Sequence, residues 1–256
     1  MSAPRGGPSG AVTSLELVNR NVRSLLSLNR KREFETLCRM LELGPADSLL
    51  DIGSGDGFWT ERFARRVGKV MALDPDDALL GHARRLHATT NIQYEQGVGE
   101  SLPFDNAAFD KIVSLSSVEH FADPVKGLEE MFRVLRPDGR MAISVDTLNP
   151  NNSSTAFRRW HAARHHVTKY FGEDELASIL TAIGFRVDKA PVHIFSSPLS
   201  RWAREKFIRR PRQLLPLFPI FRALVALGEA LPSRTHGQII ALCAVRPDAA
   251  ANGDRR

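Results

Sequence analysis

The chain has only two cysteines in 256 residues, Cys38 and Cys243, far apart and each among apolar neighbours. Neither a disulfide framework nor a cysteine metal cluster is expected, and both thiols read as small buried hydrophobes of a reducing, cytoplasmic protein. The sequence also lacks an uninterrupted apolar run of membrane-spanning length. The nearest stretch, Leu214 to Leu231, is broken by Pro216, Pro219, Arg222 and Glu229. Met1 to Gly10 is rich in Gly, Pro and Ser with no apolar run behind its positive charge, and reads as a disordered tail and not a secretory signal. No internal repeat is evident. What remains is a composition 43% hydrophobic and 25% charged, ordinary for one substantial globular core. A formal net charge of +6 points to an anionic partner such as nucleic acid, a membrane surface or an acidic substrate.

Helical spacing runs from Leu15 to Leu43, with Phe34, Leu37 and Leu41 on one face and Arg30-Lys31-Arg32 at its middle, and Gly44-Pro45 stops it. Short apolar strands are then expected at Ser48–Ile52, Val70–Leu73, Ile92–Tyr94, Lys111–Ser114 and Arg140–Val145. Helices are expected between them at Phe58–Val67, Ala78–His87 and Val125–Leu135, with a turn at Pro137-Asp138-Gly139. This alternation predicts right-handed crossovers and a Rossmann-like α/β fold with a mostly parallel sheet covered on both faces. Glu173–Ile183 reads as a further helix capped by Gly184, and Phe185–Val187 and Gln238–Val245 as the last two strands. The expected division is a tail at 1–14, a helical cover at 15–46, a core at 47–190, an insertion at 191–237, the final strand at 238–247 and a tail at 248–256.

The first strand ends at Asp51, and Gly53, Gly55 and Gly57 follow around Ser54. In an open α/β sheet the ligand crevice lies outside the carboxyl ends of the strands. Glycines there let the backbone take positive φ and approach a ligand closely, and a helix starting near Phe58 aims N–H groups at the same place. Asp51 would set a carboxylate beside a cationic amino group. Asp74, before Pro75 at the end of the next strand, is placed to hydrogen-bond ribose hydroxyls, although a turn role competes. A dinucleotide fingerprint counted from Gly53 would need glycine where Phe58 stands, and no Gly-Lys-Ser/Thr follows for a phosphate loop.

These residues resemble the class I S-adenosylmethionine-dependent methyltransferases, in particular the group of ubiquinone, menaquinone and sugar methyltransferases. The likeness runs from about Leu49 to Phe185. It is carried in order by Leu49 to Gly57, Leu73-Asp74-Pro75, Gly99-Glu100-Ser101-Leu102-Pro103-Phe104, Phe109 to Val113, Val118 to Pro124 and Leu135 to Gly139. The resemblance implies a seven-stranded sheet whose last strand is antiparallel, with S-adenosyl-L-methionine held by Asp51, Gly53, Ser54, Gly55, Gly57, Asp74, Pro75, Gly99, Glu100 and Ser114. One departure is Val98, where the family often has an acid for the adenine amino group; the backbone or Glu100 are the substitutes.

An oxygen acceptor in a methyl transfer usually needs a base, and His120 after the fourth strand is the candidate, with a structural role as the competing reading. His165, His166 and Tyr170 precede the Glu173 helix, where relatives place residues over the acceptor; capping or surface roles compete. Ser116 replaces the additional glutamate of ubiquinone O-methyltransferase-like enzymes, so no metal is expected. Ser114-Leu115-Ser116-Ser117 lacks the Asn/Asp-Pro-Pro-aromatic run of enzymes that methylate nucleobase amines.

Arg201, Arg204, Lys206, Arg209, Arg210 and Arg212 stand against one acid, Glu205, and an apolar run from Leu214 follows. Residues 201–231 therefore read as either a lid over the acceptor or a peripheral membrane contact, with Trp202 at the boundary. The expected activity is O-methylation of a small hydrophobic or lipid-linked acceptor. The rivals are RNA methylation, disfavoured because a basic patch alone gives non-specific affinity, and a protein that binds the methyl donor without catalysis. The oligomeric state is not legible.

Overall fold

The computed structural model describes residues 27–231 and 236–248; the expected tail at 1–14, the stretch 15–26 of the expected first helix, residues 232–235 of the expected insertion and the tail from 249 lie outside them. Helix α1 is Arg30–Leu41. It begins after a turn at Leu28-Asn29, so the arginine-lysine triplet opens the helix instead of sitting at its middle, and Asn29 Nδ2 donates to Glu33 Oε1 across the first turn.

The central elements follow as β1 (Ser48–Ile52), α2 (Phe58–Ala64), β2 (Lys69–Asp74), α3 (Asp77–Leu86), β3 (Ile92–Gln96), β4 (Phe109–Leu115), α4 (Pro124–Val134) and β5 (Leu135–Asp146). Helix α3 starts because Asp76 Oδ1 accepts from Ala78 and Leu79 N–H, and α4 because Asp123 caps Lys126 N–H ahead of a first-turn proline. The Pro137-Asp138-Gly139 stretch, expected as a free turn, is absorbed into β5: pairing with β4 steps from Phe109–Leu135 to Lys111–Arg140, leaving residues 136–139 as a bulge.

Helix α5 (Thr155–His165) was not anticipated. Then come α6 (Glu173–Ile183), closed by Gly184 at φ 116° as expected, β6 (Arg186–Ile194), and an insertion built of α7 (Pro198–Arg209), the short α8 (Pro211–Leu214) and α9 (Phe218–Ala230) before β7 (Ile239–Val245). Strand β6 is longer than the expected Phe185–Val187. It tolerates Pro191 because it is the edge of the sheet and its register slips between Lys189 and Val192.

The seven strands lie in the order β3-β2-β1-β4-β5-β7-β6. All pairs from β3 to β5 are parallel, and β7 runs antiparallel to both neighbours, so only the last strand is reversed. Both faces are packed. Helices α4 and α6 bury Leu128, Met131, Leu176 and Leu180 against one face, while α1 buries Phe34, Leu37 and Leu41 with Phe63 of α2 against the other. The insertion has its own small core, Phe207, Phe218, Phe221 and Val225 closing on Ile194, Phe195 and Ile239. Because Ile194 ends β6 and Ile239 begins β7, this unit stands at the sheet end that carries the carboxyl ends of the parallel strands.

Candidate active site

At the carboxyl end of β1, Asp51 is buried, and its Oδ2 accepts a hydrogen bond from Thr60 Oγ1 of α2 at 2.6 Å. Burial pushes its carboxyl up to about 7; the Thr60 bond opposes this and the nearby Asp74 charge adds to it. Asp74, at the end of β2, accepts Gly55 N–H at Oδ2 (2.8 Å) and Asp76 N–H at Oδ1 (3.0 Å). Its carboxyl is raised by desolvation, with the two backbone donors pulling the other way. Asp74 thus shapes the glycine loop, and each of its oxygens keeps a second lone pair.

Gly55 and Gly57 have different reasons to be glycine. Both take positive φ, 57° and 78°. A Cβ on Gly57 would lie 2.7 Å from Tyr94 Oη and 2.8 Å from Ala83 Cβ, so that glycine serves packing. A Cβ on Gly55 would meet nothing within 4 Å, so its side of the loop is open. Gly53 is closed by Ser117. Ser54 Oγ is buried without a hydrogen-bond partner among the described residues. A raised carboxyl, an orphaned hydroxyl and an open backbone face converge here, and a ligand with a cationic amino group and hydroxyls would complete all three.

Pro75 begins the turn beside this loop, its carbonyl accepting from Gln96 Nε2 at 3.1 Å. Other expected contacts are spent differently. Ser114 is fully buried and its hydroxyl donates to Ile52 O at 3.0 Å, tying β4 to β1 under the loop. Glu100 Oε1 accepts from Ala122 N–H (2.7 Å) and Asp123 N–H (3.3 Å), so this carboxylate pins its loop to the entry of α4. Gly99 is closed by the Phe121 ring, and Val98 stands 45% exposed with no acid in its place.

Beyond β4, a single 3-10 turn, Val118–His120, sets Glu119 inward and His120 at an exposed edge. His120 Nδ1 lies 3.3 Å from His166 O. A carbonyl only accepts, so Nδ1 carries the proton and Nε2 keeps a free lone pair. Desolvation holds the imidazole below its ordinary pKa, against the His166 bond and the Asp146 charge. Glu119 is fully buried, its Oε1 accepting Asp146 N–H at 3.2 Å and its Oε2 unpartnered among the described residues. Burial first, and Asp146 second, raise this carboxyl well above the usual range.

Sequence reasoning missed the groups that face this turn. Asp146, at the carboxyl end of β5, pairs with buried Arg204 of α7 at 2.8 Å, and Arg204 also donates to Gln238 Oε1 at 3.0 Å. His161 of α5 lies 3.7 Å from Asp146 and hydrogen-bonds Tyr170 Oη at 3.0 Å; burial takes its pKa to about 4. An acid at the end of a parallel strand was a usable signal for Asp146, whereas Arg204 is 58 residues away in sequence. Thr168 docks the His165–Tyr170 segment here: its N–H donates to Glu119 O at 2.9 Å, and its hydroxyl shares one proton between Glu119 O and Phe121 O, each 2.8 Å away.

A separate cluster joins Glu173, His193 and His236, each histidine 3.0 Å from Glu173 Oε2. His193 Nδ1 accepts Gly237 N–H, so its neutral ring is protonated at Nε2 and donates to Glu173. The lone pair a metal would take there is occupied by a proton.

Residues 50–143 match the family described as methyltransferase domain. That stretch is a methyltransferase domain of the class I, S-adenosylmethionine-dependent kind. It is 38% identical over 102 residues to a ubiquinone/menaquinone biosynthesis C-methyltransferase of Idiomarina loihiensis, covering 37% of this chain and 41% of that one. It is 35% identical over 116 residues to the chloroplastic 2-methyl-6-phytyl-1,4-hydroquinone methyltransferase 2 of Oryza sativa subsp. japonica, covering 42% and 33%. In fold it resembles a Haemonchus contortus phosphoethanolamine N-methyltransferase 2 solved with S-adenosyl-L-methionine, at TM-score 0.63 and 20% identity, over 85% of this chain and 53% of that one. The chain spans 27% to 66% of the length of the curated relatives it matches.

Proposed function

We propose that this methyltransferase binds S-adenosylmethionine in the Asp51–Gly57 loop and transfers its methyl group to an oxygen of a small hydrophobic or lipid-linked acceptor. The observation that carries the reading is the pairing of two distinct regions at one sheet end. One is a loop with a raised carboxyl, an orphaned hydroxyl and an open backbone face; the other is a histidine with a free Nε2, near Asp146, which pairs with Arg204 of the insertion. On this reading Asp51 faces the amino group, Asp74 the ribose hydroxyls through its remaining lone pairs, and Ser54 and Gly55 the open side of the loop. The backbone at Gly99–Ser101 or the remaining oxygen of Glu100 takes the adenine edge, since Glu100 Oε1 is committed to α4. When bound, the sulfonium supplies an electrophilic methyl group, and His120 Nε2 takes the proton from the acceptor hydroxyl. The insertion acts as a lid, latched by Arg204 to Asp146.

Two outcomes follow. The donor binds the ionised Asp51, so its affinity should fall as pH drops through about 7, by up to ~10-fold per unit, while Asp51→Asn loses that slope; calorimetry across pH reads both. Replacing His120 by alanine should lower kcat about 100-fold or more, with little change in donor affinity and loss of the acidic limb of the pH–rate profile. Unchanged turnover assigns His120 to structure.

The relatives named for quinone C-methylation favour one second reading, transfer to a ring carbon after the same deprotonation. Incubation of the protein with methyl-labelled donor and a hydrophobic hydroquinone, followed by mass spectrometry, separates a methoxy product from a ring-methyl product. Label appearing in RNA, or no turnover with any lipid or small-molecule fraction, contradicts both.

A further inference from the structure

Nine large apolar side chains are exposed among the described residues, and six of them, Trp202, Leu215, Leu217, Ile220, Leu227 and Leu231, belong to the insertion. Helix α9 explains the concentration. Phe218, Phe221, Val225 and Gly228 form its buried face against α7. Ile220, Leu224 and Leu227 form a second apolar stripe at i, i+4 and i+7, continued by Leu217 before the helix and Leu231 after it. At about 100° per residue these five fall within roughly an 80° arc beside the buried face, Leu224 half-buried against the insertion core and the other four exposed. The run Pro211–Ala230 has the length and composition of a spanning segment, although it is divided into α8 and α9, and little of it is buried. That qualifies the reading of the sequence as broken by prolines. Its polar residues tie it into the protein: Glu229 accepts from Ser200 Oγ at 2.7 Å and pairs with Arg32 of α1 at 3.1 Å. A helix so held lies along a surface and does not cross a bilayer.

Beside the stripe, Lys206, Arg209, Arg210 and Arg212 are exposed, and none pairs with a carboxylate among the described residues. Arg209 stacks over Phe157 and Trp160 at 5.2 and 5.7 Å, leaving its charge uncompensated. A second copy of the chain would bring two such arginine clusters together, which Coulomb repulsion disfavours. An anionic surface neutralises them while the adjoining leucines enter an apolar layer, with Trp202 at the boundary between the two.

We propose that α7 to α9 form a peripheral docking surface for anionic lipid bilayers, which sets the acceptor end of the sheet against the membrane. The proposal deepens the reading of a hydrophobic acceptor, but its test needs no turnover, so the two can fail separately. Full-length protein is sedimented with phosphatidylcholine vesicles with or without phosphatidylglycerol. The wild type should bind the anionic vesicles and release at high salt. Ile220→Ser/Leu227→Ser should cut binding about tenfold or more, because two apolar side chains no longer enter the bilayer. Arg210→Glu/Arg212→Glu should remove the preference for anionic lipid. All four positions are exposed, and an unchanged melting temperature and donor affinity confirm an intact fold. Absence of vesicle binding by the wild type, or equal binding by both variants, overturns the proposal. So does self-association of the wild type that Ile220→Ser/Leu227→Ser abolishes, which would make a second copy the occupant.

Discussion

Replacing Asp74 by alanine should weaken S-adenosylmethionine binding by about 100-fold, the largest single loss expected in the cofactor site. The carboxylate has two jobs. It accepts Gly55 and Asp76 N–H, fixing the loop, and on the proposed reading its remaining lone pairs take the ribose hydroxyls. Two charge-assisted hydrogen bonds, each at the lower end of about 1.5–3 kcal/mol, sum to about 3 kcal/mol, which is about 100-fold at ~1.4 kcal/mol per tenfold. Asp74→Asn keeps an acceptor oxygen and much of the loop shape, so its loss should be smaller, near tenfold. The fold should survive both changes, since neither removes core volume. Calorimetric titration with circular dichroism on the same samples checks this, and equal affinity for all three proteins would mean that Asp74 serves its turn alone.

Arg204→Ala should destabilise the protein by about 3–5 kcal/mol, because it strands the Asp146 carboxylate in a buried site. Arg204 is 4% exposed and Asp146 7%, so solvent does little to soften the loss. At this chain size the melting temperature should fall by on the order of 10 °C. The Arg204→Met/Asp146→Asn pair should recover most of it, as removing both charges costs far less than removing one. If the pair also latches the lid, hydrogen exchange in Pro198–Arg209 should rise in Arg204→Ala well below the melting range. A single variant as stable as the wild type would refute the buried pairing.

These two sites differ in how far the sequence discloses them. The Asp51–Gly57 loop is local: a fully buried parallel strand is a short apolar run, and the glycines and acids that follow keep fixed spacing from its end. The order of strands and helices through β5 was legible for the same reason. Helix α5 was not, because RRWHAARH has no apolar stripe and only Phe157 and His161 are buried. The start of α1 at Arg30 was hidden because the helical periodicity of the sequence extends to its N-terminal side. Pro191 hid the length of β6, since a proline excludes a central strand but not an edge. Arg204 looked like one member of a solvated basic run, and only the fold, by bringing α7 to the end of β5, turns it into the buried partner of Asp146. Ser114 and Glu100 show the reverse. Their positions follow the family pattern, while their side chains are taken up by Ile52 and by the entry of α4.

On the proposed reading the glycine loop holds the methyl donor and is not a bare strand–helix turn. Titrating the wild-type protein calorimetrically with S-adenosylmethionine, and separately with NAD, tests it without knowledge of the acceptor. Saturable one-to-one binding of S-adenosylmethionine with no heat from NAD is the predicted result. No binding of S-adenosylmethionine, or tighter binding of the dinucleotide, would contradict the account.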